Sequence, residues 1–453
     1  MRVNIGIATI FKKLVKIVAY IALACCLVAI ALIAPIDNTP LPQQSFYQSM
    51  QKRLDTLQLE KYTPTNRTHI GWSEFNITPN YPMPMAGYTP KNTFESVHDS
   101  LYGRVLYVSN GNSQSFFISL DLMLFPPIIK KKLIHHLQKQ KKDDFLYLSA
   151  THTHSGIGGW DDSVVGKFTI GTYHAEWVEA TVNQIISHME MARSSALPAL
   201  LSYWQVDAFD YVENRLDNNA PKDGWLRGLT IKRADSSKAM LVTFSAHPTN
   251  MELLGRVISG DYPSALIKAL KKEGYSFGMF LAGMVGSHRI KGFDGNQFQK
   301  IDSIGKTLTT KILASNSSDR LADSITVTRK HIPIEFGASQ LHFAQGWKTR
   351  DWAFRLLVNP LQGEITYLQL GDVLFLGTPC DFSGEVFAEA HWEKWSIENK
   401  KHLIITSFNG NYVGYITADR HYNKNEEEVL ALNWVGPYFG DYFTQMIDKL
   451  KSK

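Results

Sequence analysis

The chain has 453 residues, 44% of them hydrophobic and 12% aromatic, which is enough to bury a full core and excludes a disordered or fibrous protein. Its formal net charge of +5 comes from 47 basic residues scattered among 42 acidic ones, so the sequence has no basic tail or stripe of the kind that binds nucleic acid.

At the N-terminus, Arg2, Lys12, Lys13 and Lys16 precede an unbroken apolar run from Ile17 to Ala34, closed by Pro35. A helix over that run is about 27 Å long, sufficient to cross the hydrocarbon core of a bilayer. The basic residues lie ahead of it, so the positive-inside rule places the N-terminus in the cytoplasm and everything after Pro35 on the non-cytoplasmic side. The run exceeds an ordinary signal h-region and no small-x-small cleavage site follows, which favours a retained single-pass anchor. Cys25 and Cys26 lie within the run and Cys380 is the one downstream cysteine, so internal disulfides cannot hold the exported part.

Residues 36–69 are polar and carry Pro40, Pro42 and Pro64 around a helix-compatible stretch from Phe46 to Leu59, the composition of a stalk. From residue 70 onward, β-rich runs alternate with helical ones. Strands are predicted at Val105–Val108, Phe116–Leu120, Phe145–Ser149, Gly228–Ile231, Met240–Ser245 and Leu374–Leu376; helices are predicted at Glu176–Ala192 and Tyr262–Lys272. This pattern predicts an α/β fold with mixed sheets flanked by helices, in one large domain over 70–453 that is preceded by a single transmembrane helix. The basic stretch from Lys130 to Lys142 has helical apolar spacing; it is read as a solvated surface helix, the sharper alternative being a face for anionic headgroups.

Four stretches place chemically able side chains at the ends of apolar runs. The first is Ser149-Ala-Thr-His152-Thr-His154-Ser-Gly-Ile-Gly-Gly159, in which two histidines at i and i+2 enter a Gly-rich turn. Chance alone supplies about 0.5 such pairs in a chain of this histidine content, so the strand-to-glycine context carries the signal. The second is His247-Pro-Thr-Asn, where proline stops the strand straight after the imidazole, followed by Ser259-Gly-Asp261, with Asp261 as a helix cap or nearby acid. The third is Pro379-Cys-Asp381-Phe-Ser-Gly-Glu385, and the fourth is Tyr412-Val-Gly-Tyr415-Ile-Thr417.

Together with Asn214-Arg215, these motifs resemble the neutral/alkaline, non-lysosomal ceramidase family, from about Gly71 to Pro437 and in its N-terminal catalytic domain only. The resemblance implies a Zn2+ site at His152, His247, Asp381 and Tyr415, with Glu385 as an alternative to Asp381. It also implies catalytic roles for His154 as general acid/base, for Arg215 on an oxyanion or substrate hydroxyl, and for Ser287 in orienting the substrate. The implied reaction is hydrolysis of the amide of a ceramide-like N-acyl lipid to a fatty acid and a sphingoid base, at a membrane reached through the N-terminal helix. Alternatives are a zinc hydrolase acting on another amide or ester, and an exported lipid-binding pseudo-enzyme.

The sequence departs from the family pattern in places. Gly283-Met-Val-Gly-Ser287-His-Arg keeps the serine but not its flanking acid and proline, and Glu428 falls near a position where the pattern has tyrosine.

Overall fold

The computed structural model describes residues 3–87, 93–252, 255–315, 319–320, 323–426 and 428–453. Arg2, one of the basic residues before the anchor, lies outside them. The body is a four-layer sandwich of two mixed sheets covered by helices on both outer faces. The larger sheet runs, in spatial order, through Phe277–Ala282, Lys238–Phe244, Trp225–Arg233, Leu197–Asp207, His69–Asn76, Tyr102–Ser109, Gln114–Leu120 and Phe145–Ala150. The smaller runs through Glu60–Tyr62, Val327–Pro333, Glu364–Leu370, Val373–Gly377 and His402–Thr406.

The inner faces of the two sheets share one core, in which Phe117, Tyr147, Leu241 and Met279 of the larger sheet meet Leu368, Phe375 and Ile404 of the smaller. The outer face of the larger sheet is covered by Pro127–Lys139 and Ala175–Ser194 over one half and by Asp261–Lys272 and Gln297–Ala314 over the other. That of the smaller sheet is covered by Ser45–Asp55, Gly384–Glu389, Trp392–Asn399 and Phe439–Lys451. Strands covered on both faces favour apolar residues at successive positions, which is why Phe116–Ile118 and Phe145–Leu148 read as apolar runs.

Most strand pairs are antiparallel, but within the two main sheets three are parallel: Gln114–Leu120 with Phe145–Ala150, Lys238–Phe244 with Phe277–Ala282, and Val373–Gly377 with His402–Thr406. Each is joined by a helical crossover, so both strands of a pair end on the same side of the sandwich. The expected strands at 105–108, 116–120, 145–149, 228–231, 240–245 and 374–376 and the helices at 176–192 and 262–272 all occur, with ends that shift by at most three residues, mostly outward. Strand Leu197–Asp207 and helix Gln297–Ala314 were not foreseen; the helix opens on a capping box between Asn296 and Gln299.

At the N-terminus, one helix covers Val3–Leu32, and its stretch Thr9–Leu32 is long and apolar enough to cross a membrane, as an anchor or a signal sequence would be.

Two expectations need correction. Residues 41–62 do not form a free stalk. Leu41, Met50 and Leu54 are buried against the smaller sheet's outer core, and Glu60–Tyr62 adds an edge strand to that sheet. The polar composition reflects an amphipathic helix with one narrow apolar stripe, in which Met50 and Leu54 stand one turn apart. The basic helix Pro127–Lys139 is solvated on its outer face as expected except at Lys130, which is buried with its ammonium on Glu364 at 2.9 Å. Lys132, and Lys142 beyond the helix end, pair with Glu179 and Glu190 of the neighbouring helix.

His331 Nδ1 stands 2.8 Å from the same Glu364 oxygen. Burial alone would raise its pKa, but the His331 and Lys130 contacts outweigh burial and hold it at about 2. A depressed carboxylate stabilises the fold above its unfolded pKa and loses that contribution as pH falls towards the folded value. Glu364→Gln is therefore expected to cost about 2 kcal/mol at pH 7, with the difference from the parent shrinking by roughly 1 kcal/mol at pH 4, as read by urea titration at the two pH values.

Candidate metal centre

The carboxyl ends of the parallel strands deliver the candidate residues to one place. Past Phe145–Ala150 the backbone turns sharply. His152 takes a left-handed φ of 66° and donates its N–H to the Leu122 carbonyl. Past Lys238–Phe244, His247 donates its N–H to the His288 carbonyl. Past Val373–Gly377, the short strand Asp381–Phe382 pairs in parallel with Tyr415–Ile416, which follows His402–Thr406, and this register sets Asp381 directly opposite Tyr415. Reactive groups gather at such strand ends because the loops there are free of the sheet while their anchors are rigid.

The side chains then converge. Asp381 Oδ1 stands 3.3 Å from His152 Nε2 and 3.4 Å from His247 Nε2. Tyr415 OH is 3.0 Å from His247 Nε2, and His154 Nε2 is 3.1 Å from His152 Nε2. His152, His154 and His247 form a group able to hold a metal ion. Arg215 borders it, with one terminal nitrogen 3.3 Å from both Tyr415 OH and His247 Nε2 and its Nε 2.7 Å from Glu428.

The outer ring nitrogens fix which nitrogen faces inward. His247 Nδ1 donates to the Val285 carbonyl at 2.7 Å, His152 Nδ1 to that of Met123, and His154 Nδ1 to that of Gly87 at 3.2 Å. A carbonyl can only accept, so each imidazole carries its proton on Nδ1 and turns an Nε2 lone pair into the centre. Burial holds the pKa of both His152 and His247 well below the usual imidazole value, keeping them neutral and able to ligate. Burial, reinforced by Asp381, pushes the Tyr415 phenol well above its usual value. Asp381 Oδ2 accepts from Tyr412 OH at 2.7 Å, whereas the buried Oδ1 has no hydrogen-bond donor. Three lone pairs and an unpartnered carboxylate oxygen in one dry cluster call for a positive charge, and these residues fit a metal ion.

Residues 69–272 match the family model of the neutral/alkaline non-lysosomal ceramidases, N-terminal. The match is confined to that segment, which is less than half of the chain. Curated relatives include neutral ceramidase A of Dictyostelium discoideum, 23% identical over 223 residues that make up 44% of this chain and 31% of the relative. Another is a neutral ceramidase of Mycobacterium tuberculosis, 23% identical over 169 residues, 34% of this chain and 26% of the relative. These matches thus span less than a third of the curated relatives' own length. Among solved structures, the neutral ceramidase from Pseudomonas aeruginosa superposes with a TM-score of 0.74 at 16% identity, covering 85% of this chain and 74% of its own. A ceramidase complexed with C2 gives 0.71 at 17% identity, covering 85% and 76%. At those identities the likeness to the ceramidases is one of fold.

Of the residues singled out from sequence, His152, His154, His247, Asp381, Tyr415 and Arg215 meet around one point. Glu385 does not join them, because Asn214 donates to its Oε2 at 2.5 Å while His421, at 2.7 Å, and Arg420 hold Oε1. Ser287 lies alongside through its backbone: its carbonyl accepts the Arg215 N–H at 2.8 Å, while its buried hydroxyl faces Ser383 Oγ at 2.5 Å. Asp261 is a buried acid one residue inside the Gly260 cap; it accepts from the Tyr262 N–H at 2.5 Å and from the Asn250 N–H and side-chain amide, both at 2.8 Å, and so pins the loop after His247 to the helix start. Tyr412 opens the Tyr-x-x-Tyr motif but has no role assigned from sequence, and Phe408, which stacks on His152 with ring centroids 4.2 Å apart, lies outside every motif. Nothing in the local sequence around Phe408 signals its role.

Gly286 shows how tightly this layer is built, since a Cβ there would stand 2.4 Å from the Asp381 carbonyl oxygen. Gly286→Ala must shift the strand that carries Asp381. The expected cost is about 1–3 kcal/mol in chemical denaturation, an over-packing penalty.

Proposed function

We propose that this chain hydrolyses the amide bond of a ceramide-like N-acyl lipid, giving a fatty acid and a sphingoid base, at a zinc centre held by His152, His247, Asp381 and Tyr415. The observation that carries the reading is the cluster of inward-facing lone pairs beside the unpartnered Asp381 Oδ1, in a chain whose residues 69–272 match the ceramidase family model. Ligands about 2.0–2.1 Å from a tetrahedral ion stand roughly 3.3–3.4 Å apart. The Asp381 oxygen keeps that separation from both imidazoles. Zinc would supply Lewis acidity, polarising an amide carbonyl and acidifying a water molecule.

The protein's own groups do the rest. His154 is the least enclosed of the three histidines, and with its Nδ1 proton committed to Gly87 its inward Nε2 would take a proton from water and pass it to the leaving amine. Arg215 presents a cation beside Tyr415, where charge develops on the carbonyl oxygen. Ser287 acts as a positioning residue, through the backbone bond that holds Arg215. Tyr412 fixes the carboxylate by its bond to Oδ2, so that Oδ1 faces the imidazoles. The apolar N-terminal helix would hold this site beside the bilayer, on its non-cytoplasmic side, where such a substrate resides.

The test is zinc content and fatty-acid release from a fluorescent short-chain ceramide, using the full-length chain in detergent. One zinc per chain is expected, with activity lost on chelation and restored by added zinc. Asp381→Asn should lower zinc affinity at least tenfold, whereas Glu385→Gln should retain the metal. Zinc bound without ceramide cleavage would redirect the reading to another amide or ester. Absence of both would favour a lipid-binding protein.

A further inference from the structure

Beyond the span itself, a second apolar surface stands where the N-terminal helix ends. Ile33–Pro35 pairs with Trp347–Thr349 of the hairpin His342–Ala344/Trp347–Thr349. The helix's last carbonyls, which have no partner within a helix, accept from this same region: Ile30 from Arg350 Nε at 2.9 Å and Ala31 from the Trp352 indole at 3.2 Å. Trp352 opens the helix Asp351–Val358, whose inner face buries Ala353 and Phe354. Its outer face exposes Trp352 (53%), Leu356 (70%) and Leu357 (43%). The hairpin adds exposed Phe343 and Trp347, and the helix Val164–Ile170, which packs against Asp351–Val358, adds Phe168 at 83%. Large aromatic and aliphatic side chains are rarely left in water as one contiguous surface.

The same two helices border the candidate centre. The Ile170 carbonyl accepts from Gly159, which closes the His152 turn. Phe354 packs edge-on to Trp434 at 5.7 Å, Trp434 to Tyr412 at 5.1 Å, and Tyr412 donates to Asp381.

We infer that this surface is a bilayer-embedded lip, in which the hairpin and the two helices dip into the headgroup–acyl boundary and place the rim of the metal centre where an N-acyl lipid can pass into it without crossing water. Continuity with the end of the span identifies the occupant as lipid, since a surface hydrogen-bonded to the last turn of a transmembrane helix sits at the membrane interface. Trp and Phe with Leu above a flank of Lys167, Arg350 and Arg355 is the composition suited to that depth. The inference rests on the N-terminal helix being a membrane span, and does not depend on the reaction.

The test is spin-label depth measurement on the full-length chain in phosphatidylcholine/phosphatidylglycerol nanodiscs, comparing collision rates with oxygen and with a water-soluble nickel chelate. Labels go on Leu356→Cys and Phe168→Cys in a Cys25→Ala/Cys26→Ala background, Cys380 being buried. The control is Ile397→Cys, exposed and apolar but near the amino end of strand His402–Thr406, away from the centre. Cys25 itself, labelled in a Cys26→Ala chain, reports on the span.

Labels at 356 and 168 are expected to favour oxygen over nickel by several fold relative to 397. If both are as aqueous as 397 while Cys25 reads hydrocarbon, the lip is overturned and the anchor stands. If Cys25 is also aqueous, anchor and lip fall together. Dipolar broadening between 356 labels in discs loaded with more than one chain, with an aqueous depth reading, would assign the surface to a second copy and overturn the inference.

Discussion

The architecture around the centre depends on one electrostatic constraint, a carboxylate oxygen buried with no donor beside imidazole lone pairs whose orientation the backbone fixes. An unpaired buried charge costs several kcal/mol, and lone pairs held together repel. The fold accepts this because each side chain is locked from behind: the imidazoles by the carbonyls of Met123, Val285 and Gly87, and Asp381 by Tyr412 and by register against Tyr415. None of those locks depends on a bound cation. The centre is preorganised for positive charge, and the stability that it sacrifices when empty returns on binding.

The parallel strand pairs explain why these particular residues can meet. A crossover returns the chain to the same edge of the sandwich, so residues from positions 152 to 415 arrive at one rim despite their separation in sequence. That much is legible in the sequence: apolar runs ending in His152, His247 and Asp381 identify buried strands with chemistry at their mouths, and the motif order carries the resemblance to the ceramidases. Other features were not legible, for physical reasons that differ. The choice between Asp381 and Glu385, four residues apart, turns on tertiary partners; Glu385 is claimed by Asn214, His421 and Arg420 from distant segments. The segment 41–62 looked like a stalk because a helix that buries one narrow stripe keeps a polar average composition. Phe408 carries no sequence signal of its role, because stacking on an imidazole leaves no local trace.

Burial also separates the roles of neighbouring residues. His152 and His154 are two positions apart, yet the first is enclosed by Phe408 and the Met123 carbonyl, while the second lies partly open. An enclosed imidazole with depressed basicity suits a ligand, and a more open one suits proton traffic with solvent and substrate. The left-handed backbone at His152 makes this division possible, since an extended strand would have put both rings on one face.

Arg215 carries the remaining charge argument. Its terminal nitrogen lies 3.3 Å from the His247 lone pair, where it would repel any cation in the centre, yet its Nε is paired with Glu428 at 2.7 Å. The acid offsets that repulsion, so the centre keeps a guanidinium close to Tyr415 without a net excess of positive charge when a divalent ion is present. The resemblance has tyrosine near this position, a group that can hydrogen-bond an arginine but brings no charge at neutral pH. With Glu428 in place, Arg215 is held more firmly and its charge is partly neutralised before any substrate arrives. Geometry is thereby improved at the expense of field strength, and under the proposed reaction oxyanion stabilisation would lean correspondingly on the metal and on the Tyr415 hydroxyl.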